Sequence, residues 1–206
     1  MEIKKQLKMK NETHIILDLA LNKFVNDKFV NDNKIICKML TDDGQIPNNQ
    51  KLPLLIYPNA FDILVHDPVS MCESLFAANG WQGCWRNGIF SYHHYHSTAH
   101  EVLGICSGKA KVKFGGRRGI ICSISPGDVV IIPAGVGHKN LGASSDLCVL
   151  GAYPPNQTPD LRKEMIISNT NERDRLEAIK NIKRVSLPSK DPVYGKNGPL
   201  FKYWKA

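Results

Sequence analysis

The stretch GIFSYHHYHSTAHEVLGICSG, residues 88–108, decides how the rest of this chain is interpreted. Four of the chain's seven histidines fall within eight consecutive residues of this stretch, at positions 93, 94, 96 and 100. Glu101 follows directly, and His138 lies further along, after a turn rich in proline and glycine. Imidazole nitrogens and carboxylate oxygens are ligands for divalent transition metals. The density of these groups therefore predicts a metal site.

Strand alternation predicts which of these side chains share a face. If residues 88–96 form a strand, alternate side chains point to opposite faces, so His94 and His96 point to the same interior. On an unbroken strand His100 would join them, and Glu101 would point away. A bulge or loop after His96 shifts the phase by one residue and brings Glu101 inward instead. Alternation alone leaves Glu101 and His100 as alternative ligands.

His138 reaches the same interior from a second segment, GDVVIIPAGVGH, residues 127–138. Its proline and glycines predict a tight turn just before the histidine. Three neutral imidazoles and one carboxylate leave two positions of an octahedral metal free for exchangeable ligands. Such a metal is able to bind a substrate or O₂.

Three neighbouring side chains are candidates for a substrate pocket. Phe90 and Tyr92 share the predicted inward face with His94, and Arg86 just before them is suited to a substrate carboxylate. Aromatic residues inside a barrel also serve as packing, and an arginine at the surface also forms ion pairs, so both interpretations stay open. His93 is expected on the opposite face, in a structural role or at a contact between sheets or subunits.

The region from residue 89 to residue 153 has the pattern of an all-β domain. Short strands alternate with glycine and proline turns, which is typical of a sandwich or barrel. Residues 109–114 alternate lysines with apolar residues, so the lysines are expected to face solvent. Before this region, a helix is predicted near residues 68–79, capped by Asp67. The segment WQGCWRNG, residues 81–88, is predicted to be a loop.

The chain divides into three predicted parts. Residues 1–33 are a polar N-terminal extension, and residues 34–157 form the barrel with its short helix. Residues 158–206 contain a helix and a tail rich in proline, glycine and apolar side chains, which we expect to pack on the barrel or on a partner subunit. A helical turn is predicted over residues 159–166, and Asn169 with Glu172 resembles the capping box of the last helix.

Both histidine segments resemble the motifs of the cupin superfamily. The first matches every fixed position of the first cupin motif: Gly88, His94, His96, Glu101 and Gly108. The second matches the second cupin motif at Gly127, Pro133, Gly135 and His138, although Gly142 stands where an asparagine is usual. More narrowly, NGIFSYHHYHSTAHEVLGI resembles the YjlB-type branch of bacterial cupins.

This resemblance implies a fold and a cofactor. The expected fold is a double-stranded β-helix, a jelly-roll barrel, here with a few short peripheral helices, and such proteins are often dimeric. The implied cofactor is one divalent transition-metal ion (Fe, Mn, Ni or Zn) inside the barrel. Its implied ligands are two histidines and the glutamate of the first motif and the histidine of the second, here His94, His96, Glu101 and His138.

Composition excludes several classes of protein. The net charge is +8, but the lysines are scattered and no basic block is interleaved with aromatic residues, so no nucleic-acid binding is expected. No run of about 18 apolar residues predicts a membrane span, and no signal peptide is expected. Six cysteines without a CxxC pair favour reduced thiols and a cytoplasmic location.

These observations favour a metal-dependent cupin enzyme that acts on a small oxygen-bearing organic substrate by dioxygenase or isomerase chemistry. The alternative is a non-catalytic module that binds a small molecule or a metal. A metal-independent sugar epimerase is disfavoured, because such enzymes do not keep a full set of metal ligands. The expected partners are a small-molecule ligand and a second copy of the chain in a homodimer.

Overall fold

The computed structural model describes residues 35–164 and 172–205. The predicted extension, residues 1–33, and Asn169 of the predicted capping box lie outside the described residues. All six cysteines are free thiols. None of the described helices is long and apolar enough to cross a membrane.

Two antiparallel sheets make up the described fold. In chain order the strands are β1 (Ile36–Lys38), β2 (Leu54–Tyr57), β3 (Gln82–Asn87), β4 (His94–Tyr95), β5 (Glu101–Ser107), β6 (Ala110–Phe114), β7 (Ile120–Ile124), β8 (Val129–Ile132), β9 (His138–Ala143), β10 (Cys148–Tyr153) and β11 (Arg162–Lys163). One sheet has the order β1-β2-β8-β5-β10-β3, and the other has the order β11-β4-β9-β6-β7. The predicted all-β jelly roll with a few short helices is confirmed.

The space between the sheets holds one hydrophobic core. From the six-stranded sheet, Leu103 and Ile105 of β5 point into it, and from the other sheet Val112 and Phe114 of β6 do the same. Their alternate neighbours point outward, as a pleated strand requires. Lys111 of β6 accordingly faces solvent, as its alternation with apolar residues predicted.

A second core covers the outer face of the six-stranded sheet. Helix α1 (Pro68–Ala78) packs there through Cys72, Leu75 and Phe76. The predicted cap is present, since Oδ1 of Asp67 accepts hydrogen bonds from the backbone N–H groups of Val69 and Ser70, both at 3.1 Å.

The last part of the chain continues this outer layer through Val193, Leu200 and Trp204. It contains α3 (Leu200–Tyr203) and ends against the barrel at Trp204, which is 2% exposed. Helix α2 (Glu172–Ile182) precedes it, and its Ala178 is buried in a separate cluster with Ile46 and Tyr95. The indole of Trp204 donates to the carbonyl oxygen of Pro53 at 2.8 Å. The tail therefore contacts the chain's own barrel.

Three local predictions were wrong. Only His94 and Tyr95 of residues 88–96 form a strand, the predicted loop at 81–88 contains β3, and the predicted helical turn at 159–166 contains β11. In each case the strand assignment depends on a partner strand that is distant in sequence. β3 pairs with β10, and the short β4 lies between β9 and β11.

Candidate metal centre

Strand pairing brings three histidines together in the barrel interior. His94 on β4 lies directly opposite His138 on β9, with ring centroids 4.0 Å apart. His96, two residues after His94, lies on the same side with its ring centroid 5.9 Å from that of His94. Each ring offers one nitrogen to a common point, and the three nitrogens lie within 4.8 Å of one another.

Backbone carbonyl groups set the tautomer of all three rings. The Nδ1 atoms of His94, His138 and His96 contact the carbonyl oxygens of Tyr92 (3.3 Å), Val136 (3.3 Å) and Asp160. A carbonyl oxygen only accepts hydrogen bonds, so in the neutral form of each ring Nδ1 carries the proton and Nε2 keeps its lone pair. Outer hydrogen bonds of this kind orient histidines that bind metals through Nε2.

Glu101 lies beside two of these histidines. The chain leaves strand geometry over residues 97–100, and Glu101 is the first residue of β5. Its Oε1 lies 3.5 Å from Nε2 of His96, and its Oε2 lies 3.3 Å from Nε2 of His138. The second contact lacks the alignment of a hydrogen bond, so Oε2 is buried without a hydrogen-bond partner. This interruption after His96 is the break in the strand that alternation requires for Glu101 to point inward.

His100 lies apart from this cluster. The side chain is fully buried, and its Nδ1 accepts a hydrogen bond from the backbone N–H of Ala134 at 2.9 Å. Its ring packs against Trp204, with centroids 4.7 Å apart. Burial lowers the pKa of His100 to about 3, so the ring is neutral. The structure thus brings Glu101, and not His100, to the three histidines.

Burial and charge act against each other in the cluster. Burial alone would raise the pKa of Glu101, but the neighbouring imidazoles of His96 and His138 hold it well below its usual range. Burial, together with His138, lowers the pKa of His94 to about 3. Burial lowers the pKa of His96 as well, but Glu101 prevails and raises it. The centre therefore presents an ionised carboxylate beside at least one firmly neutral imidazole.

The cluster lines a cavity of about 320 Å³. Most of the walls are apolar and come from Trp85, Ile89, Phe90, Leu103, Pro159 and Leu161. The polar lining residues are the cluster, Tyr153, Arg86, Asn87 and Asp160. A small organic molecule with both an apolar and a polar part fits this lining.

The three predicted pocket residues have different positions. Phe90 lines the cavity and is 44% exposed, and its ring lies edge-on to that of His94 with centroids 5.0 Å apart. Tyr92 stacks on Phe90 at 5.0 Å and is not among the lining residues. Arg86 borders the cavity, and its Nε donates to Sγ of Cys148 at 3.2 Å. The strand assumed over residues 88–96 is absent beyond His94 and Tyr95, which explains the position of Tyr92.

Asp160 is a site residue that sequence reasoning missed. Its backbone carbonyl receives the Nδ1 proton of His96, and its carboxylate accepts from the backbone N–H and hydroxyl of Ser97 at 2.5 and 2.6 Å. Arg162 donates to the same carboxylate at 2.7 Å. Asp160 lies 64 positions after His96, and no local pattern marks it.

Tyr153 and Trp85 form a second missed feature. The indole Nε1 of Trp85 donates to the hydroxyl oxygen of Tyr153 at 2.8 Å, and both side chains line the cavity. The ring of Tyr153 lies perpendicular to that of His96, with centroids 5.8 Å apart. Tyr153 ends β10 and had no sequence signal beyond its place in an apolar strand.

The comparisons with known proteins give one strong and two weak similarities. The chain is 42% identical over 163 residues to the Uncharacterized protein YjlB of Bacillus subtilis strain 168, covering 79% of this chain and 92% of that protein. No protein-family model matches the chain.

Among solved structures, the acireductone dioxygenase of Bacillus anthracis, with a cadmium ion in its active centre, is similar with a TM-score of 0.32 and 17% identity over 44% of this chain and 62% of the dioxygenase. Procruciferin, an 11S globulin of Brassica napus, is similar with a TM-score of 0.34 and 13% identity over 67% of this chain and 33% of the globulin. The chain spans less than two thirds of either protein, and similarity of this extent carries no argument about function. The YjlB relationship is the informative one, and this chain belongs to the YjlB family.

Proposed function

We propose that His94, His96, Glu101 and His138 hold one divalent transition-metal ion. We further propose that the protein is a metal-dependent enzyme acting on a small oxygen-bearing organic substrate. One observation carries the proposal. Three histidines whose Nδ1 atoms contact backbone carbonyl oxygens bring ring nitrogens within 4.8 Å of one another, beside an ionised carboxylate.

The residues fit a metal ion in spacing and in donor type. First-row metals bind imidazole nitrogen and carboxylate oxygen at about 2.0–2.2 Å, so two ligand atoms of one ion are at most about 4.4 Å apart. The three nitrogens lie within 4.8 Å of one another, so small ring movements of a few tenths of an ångström suffice to bring them to one ion. The buried Oε2 of Glu101 lacks a hydrogen bond, and a cation would supply the missing partner. Three nitrogens and one oxygen suit Fe, Mn, Ni or Zn alike, so the donor set does not choose among them.

A bound metal supplies Lewis-acid polarisation of a substrate oxygen or activation of O₂. The chain itself supplies the binding site. Its apolar walls at Ile89, Phe90 and Leu161 bind the carbon skeleton of a substrate and exclude water. The ionised Glu101 and the oriented histidines keep the polar end of the cavity negatively charged and ready for a cation. Dioxygenase or isomerase chemistry on a small substrate is the reaction type that we propose.

Elemental analysis of protein purified without an affinity tag tests the metal site. We expect stoichiometric metal in the wild type and its loss in His96→Ala, because an Nε2 ligand is removed. His100→Asn is the matched control, since its side-chain oxygen can still accept from Ala134 and its position is outside the cluster. Retention of metal by folded His96→Ala, or its loss from folded His100→Asn, would refute the ligand assignment.

Turnover distinguishes an enzyme from a binding module. The metal-loaded wild type is screened against small oxygen-bearing compounds under air and under nitrogen, with His96→Ala as the blank. Product formed by the wild type alone supports an enzyme, and its dependence on air identifies oxygen chemistry. Compounds that bind at the metal without ever being converted would assign the chain to the non-catalytic class.

Other properties stay predictions. These are the division of the chain into three parts after residues 33 and 157, the homodimer and the cytoplasmic location. Light scattering on the purified protein measures the mass of the assembly and tests the homodimer directly.

A further inference from the structure

The hydroxyl oxygen of Tyr153 accepts a hydrogen bond at a fixed contact, which restricts where its own proton points. Nε1 of Trp85 lies 2.8 Å from this hydroxyl oxygen. An indole N–H only donates, so the phenol oxygen accepts at this contact. The phenol proton must then be donated in another direction, and a fixed acceptor contact restricts which directions remain.

The backbone is shaped to allow this pair. Gly151 lies opposite Trp85 in the register of β10 and β3, and a Cβ at position 151 would come within 2.1 Å of the indole ring. The register also shifts between Gly151 and Tyr153. Such an irregularity re-aims the side chain that follows it. Gly151 therefore leaves room for the indole of Trp85, and the register shift positions the side chain of Tyr153 beside it.

The phenol is directed toward the metal centre. Tyr153 lines the same cavity as His96 and Glu101, and its ring stands perpendicular to that of His96. Its hydroxyl also interacts with the carboxylate of Glu101. A phenol is ordinarily protonated at neutral pH, so it acts as a hydrogen-bond donor at this end of the cavity.

We propose that Tyr153 donates its phenolic hydrogen bond to an oxygen atom of the ligand bound at the metal centre, with Trp85 fixing the phenol oxygen. The inference rests on the metal site proposed above and deepens it by naming the ligand class. That class is a small organic molecule with a singly charged, metal-binding oxygen, such as an enolate, alkoxide or hydroxamate, attached to an apolar group.

The lining of the cavity supports this class of ligand. Among the described residues that line it, the side chain with a permanent positive charge is Arg86, whose Nε donates to Sγ of Cys148. A neutral phenol donor suits one charged oxygen and does not suit a polyanion. The apolar group has a matching surface in the walls formed by Phe90 and Leu161.

Acetohydroxamate binding to the cobalt(II)-loaded protein tests the proposal. The visible absorption of cobalt reports the metal site before ligand is added and reports ligand binding during a titration. For Tyr153→Phe we expect full cobalt content, an unchanged starting spectrum and a Kd for acetohydroxamate raised about tenfold, because one hydrogen bond to a charged oxygen is lost.

Two further variants sharpen the test. Trp85→Phe keeps an aromatic ring but removes the N–H donor, so we expect a smaller rise in Kd, of about threefold. Tyr203→Phe removes a phenol from α3, outside the cavity, and leaves the Kd unchanged. Circular dichroism and urea unfolding confirm that each variant is folded.

The remaining outcomes each overturn a specific statement. An unchanged Kd in cobalt-loaded Tyr153→Phe overturns the donor role of Tyr153 and leaves the metal site intact. Loss of cobalt from folded Tyr153→Phe also overturns it, since the phenol would then act by holding Glu101. A wild type that binds cobalt but not acetohydroxamate overturns the ligand class. A wild type that takes up no cobalt overturns the proposed function and this inference together.

Discussion

Asp160 orients His96 from two sides. Its carbonyl oxygen receives the Nδ1 proton of His96, while its carboxylate fixes Ser97 and Thr98 directly after that histidine. Hydrogen bonds from Ser97 and Arg162 hold the pKa of this carboxyl below its usual range, against burial, which is the largest influence and raises it. The carboxylate thus stays charged and anchors the loop on which the proposed ligands depend.

Replacement of Asp160 tests this positioning role. In Asp160→Ala the loop after His96 loses its anchor, so we expect metal affinity to fall about 10- to 100-fold, as is typical when the hydrogen-bond partners of ligands are lost. Competition against a chelator of known affinity measures the change. Asp146→Ala, at an exposed position, is the matched control. An unchanged metal affinity in folded Asp160→Ala would show that the hydrogen bonds serve stability alone.

At the scale of the element, a non-strand segment separates β4, which ends at Tyr95, from β5, which begins at Glu101. Alternation predicted that His94 and His96 share a face, and they do, although the strand contains only His94 and Tyr95. The spacing also showed that an inward Glu101 needs a break after His96. It could not locate that break, because residues 97–100 leave strand geometry through contacts with residues that follow β10.

Strand β5 and helix α1 approach each other closely at a glycine. A Cβ at Gly104 would lie 2.3 Å from Sγ of Cys72 and 3.2 Å from Phe76. Gly104 does not have a positive φ, so its backbone conformation is open to alanine. The obstacle to alanine is the steric contact with Cys72 and Phe76. The distance between helix and sheet is therefore set by the absence of a side chain at this position.

A double-mutant cycle tests this contact. We expect Gly104→Ala to lower the free energy of unfolding by about 1–3 kcal/mol through overpacking. In a Cys72→Ala background the same change costs less than about 1 kcal/mol, because the new methyl group occupies the space of the missing sulfur. Urea unfolding of the four proteins measures both values. Equal costs in the two backgrounds would mean that α1 and β5 do not meet as described.

At the scale of the whole molecule, the C-terminal tail closes the outer core. Asp191 is buried and accepts hydrogen bonds from the backbone N–H groups of Val193, Tyr194 and Leu200 and from the hydroxyl of Tyr57 on β2. Trp204 then covers His100 from outside the metal cavity. The tail thus connects the end of the chain to the loop that precedes Glu101.

Truncation of Trp204 separates stability from metal binding. Trp204→Ala removes a buried indole, so we expect the free energy of unfolding to fall by about 3–5 kcal/mol, with a smaller loss in Trp204→Phe. Metal stoichiometry of the folded variants stays at the wild-type value, since Trp204 lies outside the cavity. Urea unfolding and elemental analysis on the same preparations check both statements. Loss of metal from folded Trp204→Phe would show that the tail controls the metal centre.

The sequence by itself determined the jelly-roll class and the histidines that face one another. These features follow from alternation along single strands and from spacing within short motifs, which are local properties. The tertiary structure alone decided the rest. It placed Glu101 beside the histidines and His100 under the tail, brought Asp160 to His96, and joined Trp85 to Tyr153. Most of these contacts link residues far apart in the chain, and strand pairing and loop geometry, rather than any local pattern, bring them together.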